Sequence, residues 1–128
     1  MPVRWTIDHA RKRVVAAAEG DVTRSEFEEF LEAMDRENAM AYCKLFNGTD
    51  GDTSMDVYDL LAICVRIRSY HQNPVGPLAI VMTGEKSHLI LRVLGALAAA
   101  KRPMRIFYSL KPAQRWIDGF APATNNAT

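Results

Sequence analysis

Cysteine, a surplus of either charge and long apolar runs are all scarce in this sequence of 128 residues. The two cysteines, Cys43 and Cys64, match no metal-ligand spacing, and so few cysteines exclude a disulfide scaffold. Both fall within apolar periodic segments, which is typical of buried thiols in a reducing compartment. We therefore expect two thiols that form no disulfide.

The charge balance and the apolar runs exclude two classes of partner. A net charge of +1 lacks the basic surplus of a nucleic-acid-binding or acidic-membrane-binding protein. The longest apolar stretch, over 88–100, is interrupted by Arg92 and falls short of the ~20 residues that span a bilayer. Residues 1–21 carry charge throughout and lack the apolar core of a secretory signal. The sequence thus predicts a cytoplasmic protein without stable membrane insertion.

What is present is the pattern of one α/β domain over residues 1–120, followed by a flexible tail over 121–128. Short apolar runs alternate with helical periodicity in the order β-β-α-β-α-β-α-β-α. Because crossover helices make strands parallel, we predict a single mixed, mostly parallel five-stranded sheet with four helices and one antiparallel strand from the opening hairpin. The strands are predicted at 3–8, 13–18, 40–46, 77–82 and 104–108, and the helices at about 23–38, 55–71, 87–101 and 109–120.

Local signals set the boundaries of these elements. Thr23 and Glu26 form a capping-box pattern at the start of the first helix, and Gly20 is expected to end the strand before it. The segment 47–52 is predicted to be a polar turn, with Thr53 or Ser54 capping the second helix. The predicted apolar stripe of that helix is Val57, Leu60, Leu61, Cys64 and Ile67.

Five segments resemble the STAS-like superfamily, which includes bacterial anti-sigma-factor antagonists and the C-terminal domains of sulfate transporters, and within it an uncharacterised bacterial STAS/Sec14-like branch. The segments that carry the resemblance are 18–23, 42–46, 76–81, 102–107 and 113–117. The resemblance implies a STAS-like fold and a regulatory role in protein interaction. Antagonists of this superfamily carry an Asp-Ser-Ser-Gly turn whose serine is phosphorylated. Here the corresponding stretch is Asp52-Thr53-Ser54-Met55-Asp56, so the resemblance implies possible phosphorylation at Ser54, although the glycine and the doubled serine are missing.

A candidate docking or ligand rim lies where two predicted strands end. Loops at the carboxyl ends of parallel strands meet at one edge of the sheet, where free N–H groups of helix N-termini favour ligands. The predicted rim comprises Asn47, Thr49, Asp50, Asp52, Thr53, Ser54, Thr83, Gly84 and Lys86. Two solvated turns and two helix caps explain the same residues equally simply.

Catalytic, metal and cofactor motifs are not found. Gly84-Glu85-Lys86-Ser87 lacks the glycine and lysine spacing of a phosphate loop, and residues 47–58 lack the calcium-loop spacing. His9, His71 and His88 are far apart in the sequence. An acid/base pair of Asp50 and Asp52 is the least favoured alternative. We predict a protein that is not an enzyme and has no metal or cofactor.

The predicted helix over 87–101 is apolar in nearly every direction, whereas a surface helix has one apolar stripe. Leu91, Leu94 and Ala98 represent a surface that would bury against a second copy in a homodimer or against an apolar ligand. The leading hypothesis is a non-enzymatic regulatory or interaction module that binds itself or a regulatory protein. The alternative is a small apolar-ligand or lipid-binding protein, in which Trp116 and Phe120 would help to line the pocket.

Overall fold

The computed structural model describes residues 3–52, 55–70, 76–82 and 103–120. In them five strands form one sheet, in which the antiparallel pair β1–β2 is followed by β3, β4 and β5 in parallel. The strands are β1 (Val3–Asp8), β2 (Arg13–Asp21), β3 (Cys43–Asp52), β4 (Leu78–Val81) and β5 (Met104–Phe107). The helices within these ranges are α1 (Arg24–Arg36), α2 (Val57–Ser69) and α3 (Leu110–Asp118).

The predicted mixed, mostly parallel five-stranded α/β sheet is therefore confirmed, including its one antiparallel strand. Of the four predicted helices the structure describes three. The helix predicted over 87–101 lies outside the described residues, and so does the tail predicted over 121–128. No helix in the described part of the chain is long and apolar enough to cross a membrane.

The helices cover both faces of the sheet, because strand side chains alternate between two apolar cores. On one face α1 and α2 enclose the larger core, to which Val14, Met34, Ile63 and Ile80 contribute. On the other face α3 encloses a smaller core of Leu45, Ala79, Val81, Phe107, Ala113 and Ile117. Strand β4 supplies residues to both cores, which confirms its prediction as a strand covered on both faces.

The predicted start of the first helix is confirmed, whereas that of the second is wrong. Thr23 caps α1: its hydroxyl accepts from Glu26 N at 3.3 Å, and Glu26 Oε1 accepts from Thr23 N at 2.9 Å. Helix α2 is capped by Asp56, whose Oδ1 accepts from Asp59 N at 2.9 Å. Asp56 is the favoured cap because its backbone N–H also donates to Asp59 Oδ2, so that the two residues form a reciprocal capping box. Thr53 and Ser54 lie outside the described residues.

Strands β2 and β3 run further than predicted. Residues 47–52 belong to β3, not to a turn, and Gly20 does not end β2. A register shift between Ala17 and Glu19, with Gly20 at φ 71°, lets β2 continue and pair with β3 as far as Asp21 and Asp52. Strand β3 also begins later than predicted, at Cys43 rather than at residue 40, because Tyr42 N donates to Ala39 O in a turn.

Candidate functional site

Asn47, the first residue of the predicted rim, lies near the carboxyl edge of the sheet. Asn47 of β3 pairs with Val81, the last residue of β4. Gly48 approaches β4 so closely that a Cβ there would lie 3.1 Å from Val81 O and 3.5 Å from Met82 Cγ. Val81 and Met82 thus lie beside Asn47 and Gly48 at this edge. Thr83, Gly84 and Lys86 themselves lie outside the described residues.

Beyond that edge, residues 19–21 of β2 and 48–52 of β3 continue as a two-stranded ribbon, which we call the β2–β3 extension. Asn47 Oδ1 accepts a hydrogen bond from Thr49 N at 3.0 Å, which holds the start of the ribbon. Thr49 and Asp50 are exposed. The register places Glu19 beside Asp50 and Asp21 beside Asp52, so acidic residues occupy facing positions on both strands. Asp50 and Asp52, the two acidic residues of the predicted rim, are positions of this extension.

The described residues contain no group of three or more histidine, cysteine or carboxylate side chains placed to hold a metal ion. His9 instead closes the hairpin region, where its Nδ1 lies 2.8 Å from Tyr42 Oη and its Nε2 lies 3.5 Å from Glu37 Oε1. His71 and His88 lie outside the described residues. The role of His9 in the described structure is therefore to connect the hairpin to the segment after α1.

The two thiols are poor nucleophiles because of where the fold places them. Cys64 is fully buried among core residues, and Cys43 on β3 is half-buried. Burial raises the pKa of the Cys64 thiol. Burial also raises the pKa of Cys43, although the nearby charges of Arg13 and Lys44 act in the opposite direction. Both thiols therefore stay protonated near neutral pH and form no disulfide, as the sequence predicted.

A thiol-reactive reagent at neutral pH is expected to modify Cys43 slowly and Cys64 hardly at all until the chain unfolds. The Cys43 rate should rise with pH beyond the ordinary range of a thiol, because the folded state holds the proton more tightly than the unfolded state. The same effect stabilises the fold below the ordinary thiol pKa and is lost as pH rises through the raised value. Mass spectrometry of timed labelling measures both rates, with Cys43→Ser and denatured protein as controls. Rapid labelling of either thiol at neutral pH would contradict this prediction.

Helix α2, which follows the β2–β3 extension along the chain, presents large apolar side chains to solvent. Val57 is 42% exposed, Tyr58 77%, Leu61 38% and Val65 68%. At 100° per residue these four positions lie within one arc of about 100°, beside the sector of the buried Leu60, Ile63, Cys64 and Ile67. We call them the apolar arc of α2. It begins five residues after the end of the β2–β3 extension.

Sequence reasoning placed this surface incorrectly. The predicted core stripe included Val57 and Leu61, which are exposed, and omitted Ile63, which is buried. The error arises because α2 is apolar in most directions, so that periodicity alone does not separate its inner from its outer side. The all-round apolar pattern of α2 is the sequence signal for this exposed surface. The same pattern predicted an exposed apolar surface on the helix over 87–101.

Two ion pairs join α2 to α1 beside the core that the two helices share. Arg66 Nη2 lies 2.7 Å from Glu32 Oε2, and Arg24 Nη1 lies 3.7 Å from Asp59 Oδ1. Hydrogen bonds to Tyr70 and Glu32 raise the pKa of Arg66, which stays charged in any case. Together with the shared core, these contacts turn one side of α2 toward α1 and leave the arc facing outward.

The other predicted surfaces lie elsewhere. Trp116 packs on Phe107 and Phe120, with ring centroids 5.9 and 4.8 Å apart, on the face of the sheet covered by α3. These rings lie on the opposite face of the sheet from the apolar arc. Leu91, Leu94 and Ala98 lie outside the described residues, so the surface proposed for them stays a prediction. So does the alternative of an apolar-ligand-binding protein.

Comparison with solved structures finds a similar chain. The crystal structure of an uncharacterised protein from the DUF3478 family, from Shewanella loihica PV-4, is described as having a SpoIIAA-like fold. It matches with a TM-score of 0.62 and 16% identity, covering 90% of this chain and 93% of the other. No protein-family model and no curated protein sequence matches this chain. At this identity the likeness establishes the fold, which is SpoIIAA-like, as the STAS-like resemblance implied.

Proposed function

We propose that this chain, whose fold is SpoIIAA-like, is a non-enzymatic regulatory module that binds a protein partner through α2 and the adjoining β2–β3 extension. The observation that supports the proposal most strongly is the apolar arc, four large apolar side chains between 38% and 77% exposed on one side of one helix. The partner it fits has an apolar contact surface with basic residues at one margin.

The apolar part of the surface supplies the affinity. A surface helix ordinarily turns charged side chains outward, and scattered single apolar residues need no explanation. Four on consecutive turns of one arc form a contiguous patch, which is typical of a protein-binding site. Burying such area stabilises a complex by roughly 25 cal/mol per Å² before the costs of association.

The charges beside the apolar arc favour one orientation of the partner. The exposed Asp56 caps the N-terminal end of α2, and the acidic β2–β3 extension with Asp50 precedes it along the chain. At the C-terminal end of the arc lies the exposed Arg68. A partner with a basic margin would be steered toward the end of α2 that carries the carboxylates, since complementary potential raises association rates and fixes orientation.

The non-enzymatic part of the proposal is supported by the chemistry of the described residues. Burial raises the pKa of both thiols, and the register of the extension distributes its acidic positions along two paired strands. The proposed phosphorylation of Ser54 comes from the STAS-like resemblance. Ser54 lies outside the described residues, in the short segment between the extension and α2, where an added phosphate would increase the negative charge beside the arc.

Val65→Asp is expected to weaken binding of the partner at least about tenfold while leaving the fold intact. A carboxylate at the centre of an apolar contact must be desolvated when the complex forms, whereas at a 68% exposed position it costs the free protein little. The measurement is photo-crosslinking in the source cell from a benzoyl-phenylalanine placed at Tyr58. We expect one discrete adduct, and its loss when Val65→Asp is added.

A matched control places the same crosslinker at Arg115, an exposed position of α3. Circular dichroism should show that the melting temperature of Val65→Asp stays within about 2 °C of the parent protein. An adduct that forms equally from Arg115, or that survives Val65→Asp, would show that the arc is not the docking surface.

A further inference from the structure

Strand β1 forms one edge of the described sheet. It pairs with β2 along its whole length, from Val3 opposite Ala18 to Asp8 opposite Arg13, with no bulge in the register. The N–H and C=O groups of its other side form a straight row with no strand beside it in the part of the chain that the structure describes. An edge of this kind is a template for another strand.

Proteins that avoid pairing at such an edge protect it. The usual devices are a proline, a bulge, a lysine or charges of one sign that repel a second copy. Residues 3–8 contain neither proline nor lysine, and the two charged residues, Arg4 and Asp8, are opposite in sign. They lie on the same face of the strand, separated by Thr6. The edge therefore carries charges that attract rather than repel a suitable partner strand.

Two-fold symmetry limits how two copies of β1 can pair. An antiparallel pair of identical strands has its axis perpendicular to the sheet, so that one residue must face its own copy. If that residue is Trp5, Arg4 faces Thr6 and Asp8 faces no residue of the strand. If it is Thr6, Arg4 faces Asp8 of the second copy and Trp5 faces Ile7, and symmetry makes each of these pairs occur twice.

From this complementarity we propose that two copies of the chain join through antiparallel pairing of their β1 strands, centred on Thr6, to form one continuous ten-stranded sheet. The opposite edge does not offer the same match. Strand β5 carries a single charged residue, Arg105, so no two-fold register of that strand brings opposite charges together. The proposal is independent of the partner surface on α2, which lies away from this edge.

The existing contacts of the two charged residues are compatible with the pairing. Arg4 already forms an ion pair with Glu19, yet its side chain is 65% exposed. A guanidinium has five N–H donors and can serve a second carboxylate. Asp8 Oδ1 accepts from Arg11 N at 3.0 Å, and a carboxylate has acceptor capacity for further donors. On the other face Trp5 is packed on Phe30 of α1, so its ring is already oriented.

Such a dimer is expected to be weak, because pairing of two six-residue strands buries less than the roughly 1,200 Å² of a stable interface. Sedimentation velocity of the full chain, from low to high micromolar concentration, should show a reversible monomer–dimer equilibrium. Hydrogen exchange of the β1 amides should slow as the dimer fraction rises.

Charge reversals distinguish this surface from any other. Arg4→Asp and Asp8→Arg each place like charges opposite one another twice, and each should weaken self-association about tenfold or more. Mixed in equal amounts, the two single variants should form a heterodimer, because every facing pair is then opposite in sign. The double variant R4D/D8R should associate with itself like the parent chain.

Two controls change the net charge equally without touching the strand. Lys12→Asp lies in the hairpin turn and Asp35→Arg on the exposed side of α1, and neither should alter association. Thermal unfolding identifies a variant that has lost its fold. A strictly monomeric parent chain overturns the proposal. So does a dimer that both single variants leave unchanged, which would place the contact elsewhere.

Discussion

Gly76→Ala is expected to destabilise the protein by about 3 kcal/mol, with a fall in melting temperature of roughly 10 °C or more. Gly76 lies where the chain enters β4, against the turn that precedes β3. A Cβ there would overlap the carbonyl oxygen of Tyr42 and would lie 2.5 Å from Ala41 O. Both obstacles are backbone atoms, so no side-chain rotation relieves the conflict.

The turn cannot move away easily because hydrogen bonds hold its carbonyl groups. The ammonium of the buried Lys44 donates to Met40 O at 2.5 Å and to Tyr42 O at 3.0 Å. Gly76 N also donates to Met40 O at 2.9 Å, and Lys44 N donates to Pro77 O at 2.8 Å. Relieving the overlap would stretch these bonds and separate the start of β3 from that of β4.

Thermal and urea unfolding measure the effect of Gly76→Ala, and Gly119→Ala is the matched control. At Gly119, beyond the end of α3, the nearest atom to a new Cβ is Trp116 O at 3.3 Å, and the backbone has φ −66°. We expect the control to change stability by less than about 1 kcal/mol. Equal stabilities of the two variants would show that the turn over Gly76 yields without cost.

Gly51→Ala is expected to cost about 2–3 kcal/mol, and Ala18→Gly should partly rescue it. A Cβ at Gly51 would lie 2.6 Å from the Cβ of Ala18, which is 4% exposed in the larger core. Since neither methyl group can rotate away, strands β2 and β3 would have to separate at the base of the extension. Removing the Ala18 methyl group restores the space.

The signature of this contact is non-additivity. Ala18→Gly alone should destabilise by about 1–2 kcal/mol through lost burial and added backbone freedom. The double variant should nevertheless unfold at a higher urea concentration than Gly51→Ala, with a coupling of about 1 kcal/mol or more. Strict additivity in a double-mutant cycle would mean that the two positions do not touch.

Local hydrogen bonding and chain order were predictable from the sequence. The capping box of Thr23 and Glu26 depends on four successive residues, and the structure contains both of its hydrogen bonds. The mixed sheet followed from the alternation of strands and helices, because crossover connections leave few topologies. Burial of β4 on both faces followed from its unbroken apolar run.

The segment 47–52 was predicted as a turn and is instead part of strand β3. Residues 47–52 are rich in glycine and polar residues, which ordinarily mark a turn. Here Gly48 and Gly51 instead allow neighbouring strands to approach closely, which depends on Val81 and Ala18, distant in the sequence. Likewise, the outward direction of Leu61 and Val65 depends on the core and the ion pairs that α2 shares with α1. Neither the close approach of the strands nor the outward direction of these side chains can be predicted from a short stretch of neighbouring residues.

Because the interior is divided into two cores, helix α3 packs on the smaller core alone. Only Ala113 and Ile117 of α3 are fully buried, and beyond its small core the helix is fastened to β2 by Arg13 and Asp118, 2.8 Å apart. Separation of α3 from the sheet would therefore open the smaller core of six residues, whereas the larger core under α1 and α2 shares none of these residues. The two-core arrangement thus permits a local opening on one face of the sheet that leaves the other face packed.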